Sequence, residues 1–532
     1  MKRNAVLTLT VLLAPLAAIY QEQTNEWFLF LLSPIFCGWG AWNADGFGMD
    51  TLEETGRSLL EHPEAQLLWA DAGVTAAQVQ GCRRRLGSFL ERYVPRFYRR
   101  EQGHNARIGV EGLLRGLERK TAEPIAREHG VPRKPIQFFV GSGKWDEEAV
   151  MAELRRHVVE TLGHRQGVVG FDPSAFPKKG THSCGVAREW CGRLGKVENC
   201  QIGLFLAYAT GRGQGPLDRR LYLSPEWAAD RVRRDECHVP AGVKFQERWR
   251  MALEMWDRHR ASVPHGAVAA DDEFGRVAAF RAGLRDRREA YVLEVPCNTQ
   301  VRDLHGRRPP RRAGRKSRRR QVPFRRADQW AAAPPADRWQ EFTVQDGQKG
   351  PIRVQAVMTP VRTRQDQRLG PQEGLIVIRH WESDGSEPDV SYHLTWAPQE
   401  VPLENWVRTH ARRHQIEQML EHGKGEAGLD HYEVRSYVGW HHHMTLSLLA
   451  LWFLSLERVA MGKKDAGGDS AAGARDSDAA VAASGPHGAT DCPRGQHRAR
   501  PQRTSEDLPL ACAHGSVPAA PVSRRLRMKR LQ

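Results

Sequence analysis

Residues 168–172, Val-Val-Gly-Phe-Asp, form a short apolar run that stops on a carboxylate. Apolar runs of this length bounded by turn residues predict buried strands. Working outward, the chain repeats the figure. Cys200 to Ala209 and Arg220 to Leu223 are predicted strands, with Gly211, Gly213, Gly215 and Pro216 supplying the turn between them. A helix follows, in which Phe245, Trp249, Leu253 and Trp256 recur at helical spacing and predict a core stripe. Gly266 to Ala270 predicts another strand, ended by Asp271. After it come a helix through Phe280 and Leu284 and a strand over Tyr291 to Val295. Strands alternating with helices predict an α/β fold with a mixed sheet and crossover helices over residues 166–301.

The flanks differ in texture. Residues 50–165 predict helices, with apolar residues at helical spacing over Ser88 to Arg99 and Ala149 to Thr161, the first interrupted at Pro95. This basic stretch reads either as a helical DNA-binding domain or as a solvated bundle. Residues 302–330 form a basic linker: from Arg307 to Arg320, nine of fourteen residues are Arg or Lys. That segment reads either as a clamp on a DNA backbone or as a solvated connector. Residues 331–402 predict a β-rich insertion, with strands at Ile352 to Met358, Leu375 to Arg379 and Val390 to Leu394. Residues 403–460 return to helix and include an apolar run from Met444 to Leu456, predicted to close the core. The composition of 461–532 predicts a disordered tail.

Within the returning helix lies His-Ala-Arg-Arg-His-Gln-Ile-Glu-Gln-Met-Leu-Glu-His-Gly-Lys, residues 410–424. At 100° per residue, His410, Arg413, Glu417 and Lys424 fall within about 60° of one another, beside an apolar face of Ile416, Met419 and Leu420. Such a face is either an ion-paired surface or the border of a site.

Bulk composition narrows the partners. The 532-residue chain carries a formal net charge of +16, which favours a polyanion and nucleic acid first. Its nine cysteines, at 37, 82, 184, 191, 200, 237, 297, 492 and 512, include no C-x-x-C pair, so neither a disulfide framework nor a zinc module is predicted. The run of His441, His442 and His443 is read as the start of the last helix rather than as a metal tract. Trp190 and Trp440 are read as core. Residues 1–49 are an apolar extension in which Lys2 and Arg3 precede runs from Ala5 to Ala18 and from Trp27 to Phe36. The extension reads as a signal or short anchor, or as a mis-assigned start. The remainder predicts a cytoplasmic, nucleoid-associated protein.

Two aspartates at strand ends and one glutamate on a later helix suit two divalent cations, which activate a nucleophile and stabilise the leaving oxygen of a phosphodiester. Hard oxygen ligands select Mg²⁺ or Mn²⁺.

Residues 171–208 (FDPSAFPKKGTHSCGVAREWCGRLGKVENCQIGLFLAY), 219–230 (RRLYLSPEWAAD), 269–275 (AADDEFG) and 425–454 (GEAGLDHYEVRSYVGWHHHMTLSLLALWFL) resemble insertion-sequence transposases of the Asp-Asp-Glu type, nearest the insertion sequence 701 branch. The resemblance spans roughly residues 85–456. It implies a ribonuclease-H-like mixed sheet with flanking helices, interrupted by a β-rich insertion and preceded by a helical DNA-binding domain.

It also implies catalytic and metal-binding roles for Asp172, Asp271 and Glu417, with Mg²⁺ or Mn²⁺, two per site, as cofactor. The branch's Tyr-Arg-Glu-Lys signature falls on His410, Arg413, Glu417 and Lys424, with His410 in the Tyr position. DNA-contacting roles then fall on Lys178, Lys179, His410, Arg413 and Lys424. The implied partners are double-stranded DNA, as terminal inverted repeats and target, and a second copy of the chain, with no small-molecule substrate. Against an active transposase stand two alternatives: an inactive or repurposed DNA-binding derivative, and a membrane-attached or secreted protein directed by residues 1–49.

Overall fold

The structure is a computed structural model, described here for residues 76–307, 321–347, 350–365, 368–381 and 388–460. The apolar extension, residues 50–75, residues 308–320 of the basic linker and the residues after Ala460 lie outside the described residues.

Five helices open the described chain: α1 (Ala76–Glu91), α2 (Arg100–Leu114), α3 (Ala122–Glu128), α4 (Arg133–Gly141) and α5 (Glu147–Leu162). Between α1 and α2, Pro95 sits in a single 3-10 turn, Val94–Arg96, because proline cannot continue the helical hydrogen-bond ladder. Asp146 starts α5 by accepting the backbone N–H groups of Glu148 and Ala149.

The sheet begins with β1 (Val168–Pro177), β2 (Ala187–Cys191), β3 (Lys196–Thr210) and β4 (Gly213–Leu221). β3 runs antiparallel to β1, β2 and β4. The turn expected to run to Pro216 is tighter than that. It occupies Gly211 and Arg212, and β4 already begins at Gly213, whose φ of 145° is open to glycine. Next come α6 (Arg248–His259), β5 (Ala267–Ala270), α7 (Ala278–Asp286) and β6 (Tyr291–Glu294). β5 pairs parallel to β1, and β6 parallel to β5. The order β4-β3-β1-β5-β6, with three antiparallel strands followed by two parallel ones, makes this a ribonuclease-H-like α/β core. Leu253 and Trp256 of the expected stripe are buried, but Phe245 precedes α6 and is exposed.

The remaining strands are β7 (Gln300–Asp303), β8 (Arg325–Arg326), β9 (Gln340–Gly347), β10 (Gly350–Gln365), β11 (Arg368–His380) and β12 (Asp389–Trp396). They extend the same sheet rather than forming a separate one: β12 pairs antiparallel with β6, covering what would otherwise be an open edge. A buried charge network ties the insertion to the core. Glu373 of β11 accepts from Arg281 and Arg285 of α7, from Tyr291 of β6 and from Thr363 of β10.

Two long helices complete the described chain, α8 (Leu403–Gly425) and α9 (Tyr437–Ala460). From Gly439 to Leu454 every residue of α9 is buried, as expected for a helix apolar on all sides. One hydrophobic core runs from Cys82 in α1 through the sheet to Leu454 in α9, so the N-terminal helices share their interior with the sheet. None of the helices among the described residues is long and apolar enough to cross a membrane.

Candidate active site

Strand register aligns the first acidic residues. The β1–β5 pairing ends with Phe171 opposite Ala270, and the β5–β6 pairing with Ala270 opposite Leu293. Asp172, Asp271 and Glu294 each follow by one residue. Asp271 keeps an extended backbone (φ −74°, ψ −176°), so it continues the line of β5. Adjacent strands lie about 4.8 Å apart, and residues in register share a face. Three carboxylates therefore stand in a row across the C-terminal ends of β1, β5 and β6. Asp271 also caps the short helix Asp272–Gly275, one of its oxygens accepting from the backbone of Glu273 and Phe274.

Helix α8 crosses the sheet on the face that carries this row. A Cβ on Gly170 would run into Ile416 of α8, and Asp172, two residues on, faces the same way. Ile416, Met419 and Leu420 are buried, as the sequence predicted, and the neighbouring face brings Arg413 and Glu417 to the acids. The Arg413 guanidinium bridges two elements: Nη1 donates to Glu417 Oε1 at 2.5 Å and Nη2 to Glu294 Oε2 at 2.6 Å. His414 Nδ1 lies 3.5 Å from the second Glu417 oxygen.

The electrostatics follow from this crowding. Burial first, then the Glu417 charge, pushes Asp172 up to about 7, with Lys424 and Arg413 opposing. Burial and the Asp172 charge push Asp271 up to about 8. Glu294 is also raised by burial, against the pull of Arg413. Burial acts on Glu417 in the same direction, but Arg413 and His414 outweigh it and hold this carboxyl below its ordinary value. The Asp172 carboxyl accepts no hydrogen bond among the described residues. Two strand-end aspartates are thus short of positive charge, while Glu417 has its own.

The donor chemistry fits a hard divalent cation, since all the acids offer oxygen and the aspartate pair disfavours its own ionisation. Among the described residues, however, no group of three His, Cys, Asp or Glu side chains is arranged to hold a metal ion. Arg413 and His414 engage the Glu417 oxygens that would complete such a set.

The other residues singled out from the sequence are more scattered. His410 is packed against His393, ring centroids 4.4 Å apart, and burial and Arg413 push it down to about 3, so it is neutral at physiological pH. Lys424 lies near Asp172, its Nζ 5.8 Å from the Phe176 ring centroid. Lys178 sits over the Tyr432 ring at 3.3 Å, donates to the Tyr432 carbonyl at 3.1 Å and is lowered to about 8 by burial. Lys179 is exposed. Trp440 is buried, but Trp190, expected in the core, is 43 % exposed on the β2–β3 hairpin, opposite the equally outward Val197.

His441, His442 and His443 are bonded to the carbonyls of Tyr437, Val140 and Gly428, an arrangement that belongs to helix packing. Cys184, Cys191 and Cys200 are buried free thiols. The residue that sequence reasoning missed is Glu294. Its signal was weaker than that of the aspartates, a carboxylate inside the predicted strand Tyr291 to Val295 rather than at its end.

Comparison with known proteins finds a similarity over part of this region. Residues 92–351 match the family model described as DDE superfamily endonuclease, a span that includes Asp172, Asp271 and Glu294 and stops short of Glu417. No curated protein matches the chain. Among solved structures, the chain is similar to the piggyBac transposase in a cryo-EM synaptic complex with hairpin DNA, at 9 % identity and a TM-score of 0.32. That match covers 69 % of this chain and 68 % of the other. Over residues 92–351, then, the chain is similar to the DDE superfamily endonucleases.

Proposed function

We propose that the protein is a DNA transposase that binds the ends of its own element, hydrolyses phosphodiesters there and transfers the freed 3′ ends to target DNA. The observation that carries the reading is the in-register pair Asp172 and Asp271, with Glu417 presented from a helix above them, inside or beside a region similar to DDE superfamily endonucleases. Asp172, Asp271 and Glu417 would hold Mg²⁺ or Mn²⁺. When bound, such ions activate a water or 3′ hydroxyl and stabilise the leaving oxygen of an in-line displacement.

The chain's own side chains have distinct tasks in this scheme. Asp172 and Asp271, whose charges oppose each other, retain a proton near neutral pH until positive charge arrives. Arg413 holds Glu417 and orients it toward the strand ends. Lys424 and Lys179 are the cations for DNA phosphates, with Lys178 set back against Tyr432. His410, neutral and packed on His393, supports α8 in place of a phosphate contact. The net charge of +16 gives salt-dependent affinity for the backbone, and the helices before β1 would read the element ends. Pairing two ends calls for at least two copies of the chain.

The test is Mn²⁺-dependent nicking of DNA carrying the element ends. Wild type should nick, and Asp172→Ala, Asp271→Ala and Glu417→Ala should each lose activity by about a thousandfold or more, the scale of removing a group central to transition-state stabilisation. Equal nicking by wild type and Asp172→Ala would end the enzymatic reading and leave a DNA-binding derivative.

A further inference from the structure

We propose that Glu294 is a positioning residue that acts through Arg413 and governs how readily Glu417 becomes available to a divalent cation. The inference rests on the transposase reading and adds a fourth acidic residue to it.

Three observations support this. Glu294 stands in register with Asp271 at the end of β6, in the same row as the two aspartates, so its carboxylate is held at the site by the sheet. Its contact in the site is Arg413, at 2.6 Å, and the same guanidinium holds Glu417 at 2.5 Å through its other terminal nitrogen. The third nitrogen of Arg413, Nε, is buried without a hydrogen-bond partner among the described residues, so the hydrogen bonds of the guanidinium go to these two carboxylates. Gly275 shows how closely this corner is built: a Cβ there would run into the Glu294 carbonyl.

A guanidinium shared between two carboxylates can give one up and stay anchored by the other. With Glu294 present, Glu417 can leave Arg413 for an incoming cation while Arg413 stays at the edge of the site. Without Glu294, Arg413 belongs to Glu417 alone and faces Asp172 and Asp271 as its next partners. It then competes with the cation for the same oxygens.

The experiment measures Mn²⁺ affinity of the purified full chain by titration calorimetry, beside the Mn²⁺ concentration giving half-maximal nicking. Circular dichroism in the absence of metal checks that each variant is folded. Glu294→Gln, close in shape, should weaken Mn²⁺ binding about tenfold and shift the half-maximal concentration by the same factor, with the rate at saturating Mn²⁺ retained. Glu294→Asp should recover part of the affinity.

The deciding comparison is made in an Arg413→Gln background, where a residue acting through Arg413 has nothing left to act on. There Glu294→Gln should leave Mn²⁺ affinity unchanged. An equal loss of affinity in both backgrounds would overturn the proposal in favour of direct ligation by Glu294, and no loss in either would remove Glu294 from the site. Asp172→Ala keeps the two readings apart. If it binds Mn²⁺ as wild type does, the transposase reading itself fails; if it alone loses binding, only the role of Glu294 fails.

Discussion

At the scale of single residues, the site is destabilised by the side chains that make it useful. Asp172 has a folded-state value near 7 against an ordinary 3.8, so between those values the folded chain binds more protons than the unfolded one. Stability from this group is therefore greatest in acid and is lost as pH rises through 7. Asparagine at the same place has no charge to desolvate. Asp172→Asn should accordingly raise the melting temperature of the metal-free protein by several degrees at pH 8 and by much less at pH 5, while abolishing nicking. Calorimetric scans at the two pH values check this, and equal shifts at both would show that the carboxylate is not under strain. The aspartates were legible in the sequence because each ends an apolar run. Glu294 lies within the predicted strand Tyr291 to Val295 instead, its role depends on Arg413, 119 residues away, and no local pattern records that contact.

At the scale of elements, the position of Glu417 depends on how closely α8 approaches β1. Gly170 is the point of contact: with no side chain, it lets Ile416 lie directly on the strand. Gly170→Val places two methyl groups where Ile416 sits, and overpacking of this kind costs about 1–3 kcal/mol. The helix should lift from the strand ends, lowering both stability and nicking. Ile416→Ala in the same chain should restore much of the activity by vacating the space, as measured by nicking rate beside thermal unfolding. A double variant no better than Gly170→Val would mean that this contact does not set the height of α8. The existence of β1, β3, β5, β6 and α8 was readable from apolar runs and helical spacing. The joining of the insertion to the same sheet was not, since β12 meets β6 across roughly a hundred residues and pairing over such separations leaves no local trace. The exposure of Trp190 was hidden for a similar reason: the hairpin that turns it outward is fixed by the β2–β3 register.

At the scale of the molecule, two sets of titrating groups oppose each other. On the sheet, Asp172 and Asp271 are raised, to about 7 and about 8, and their contribution grows as pH falls from 8. In the helical layer, burial lowers His157 and His442 to about 4 and His441 and His443 to about 3, all against an ordinary 6.5. Below 6.5 the unfolded chain takes up protons that these folded histidines refuse, so their contribution is intact above 6.5 and is lost progressively as pH drops toward 4. His442 shows why they stay neutral: it is stacked on Trp145 at 4.0 Å, with its Nδ1 on a backbone carbonyl, and a charge there would be desolvated. Four histidines outnumber two aspartates where both titrate, whereas above pH 6.5 the aspartates act in the same direction as His265, which burial lowers but its hydrogen bond to Glu289 raises above its ordinary value. The metal-free protein should therefore be most stable near pH 6.5, with a shallow fall toward pH 8 and a steeper one toward pH 4.5. Adding Mn²⁺ should flatten the alkaline side by supplying the aspartates with a counter-charge, and should leave the acid side unchanged. Melting temperatures across this range, with and without Mn²⁺, would show it, and stability that kept rising from pH 6.5 to pH 5 would mean that the buried histidines of the last helix do not resist protonation.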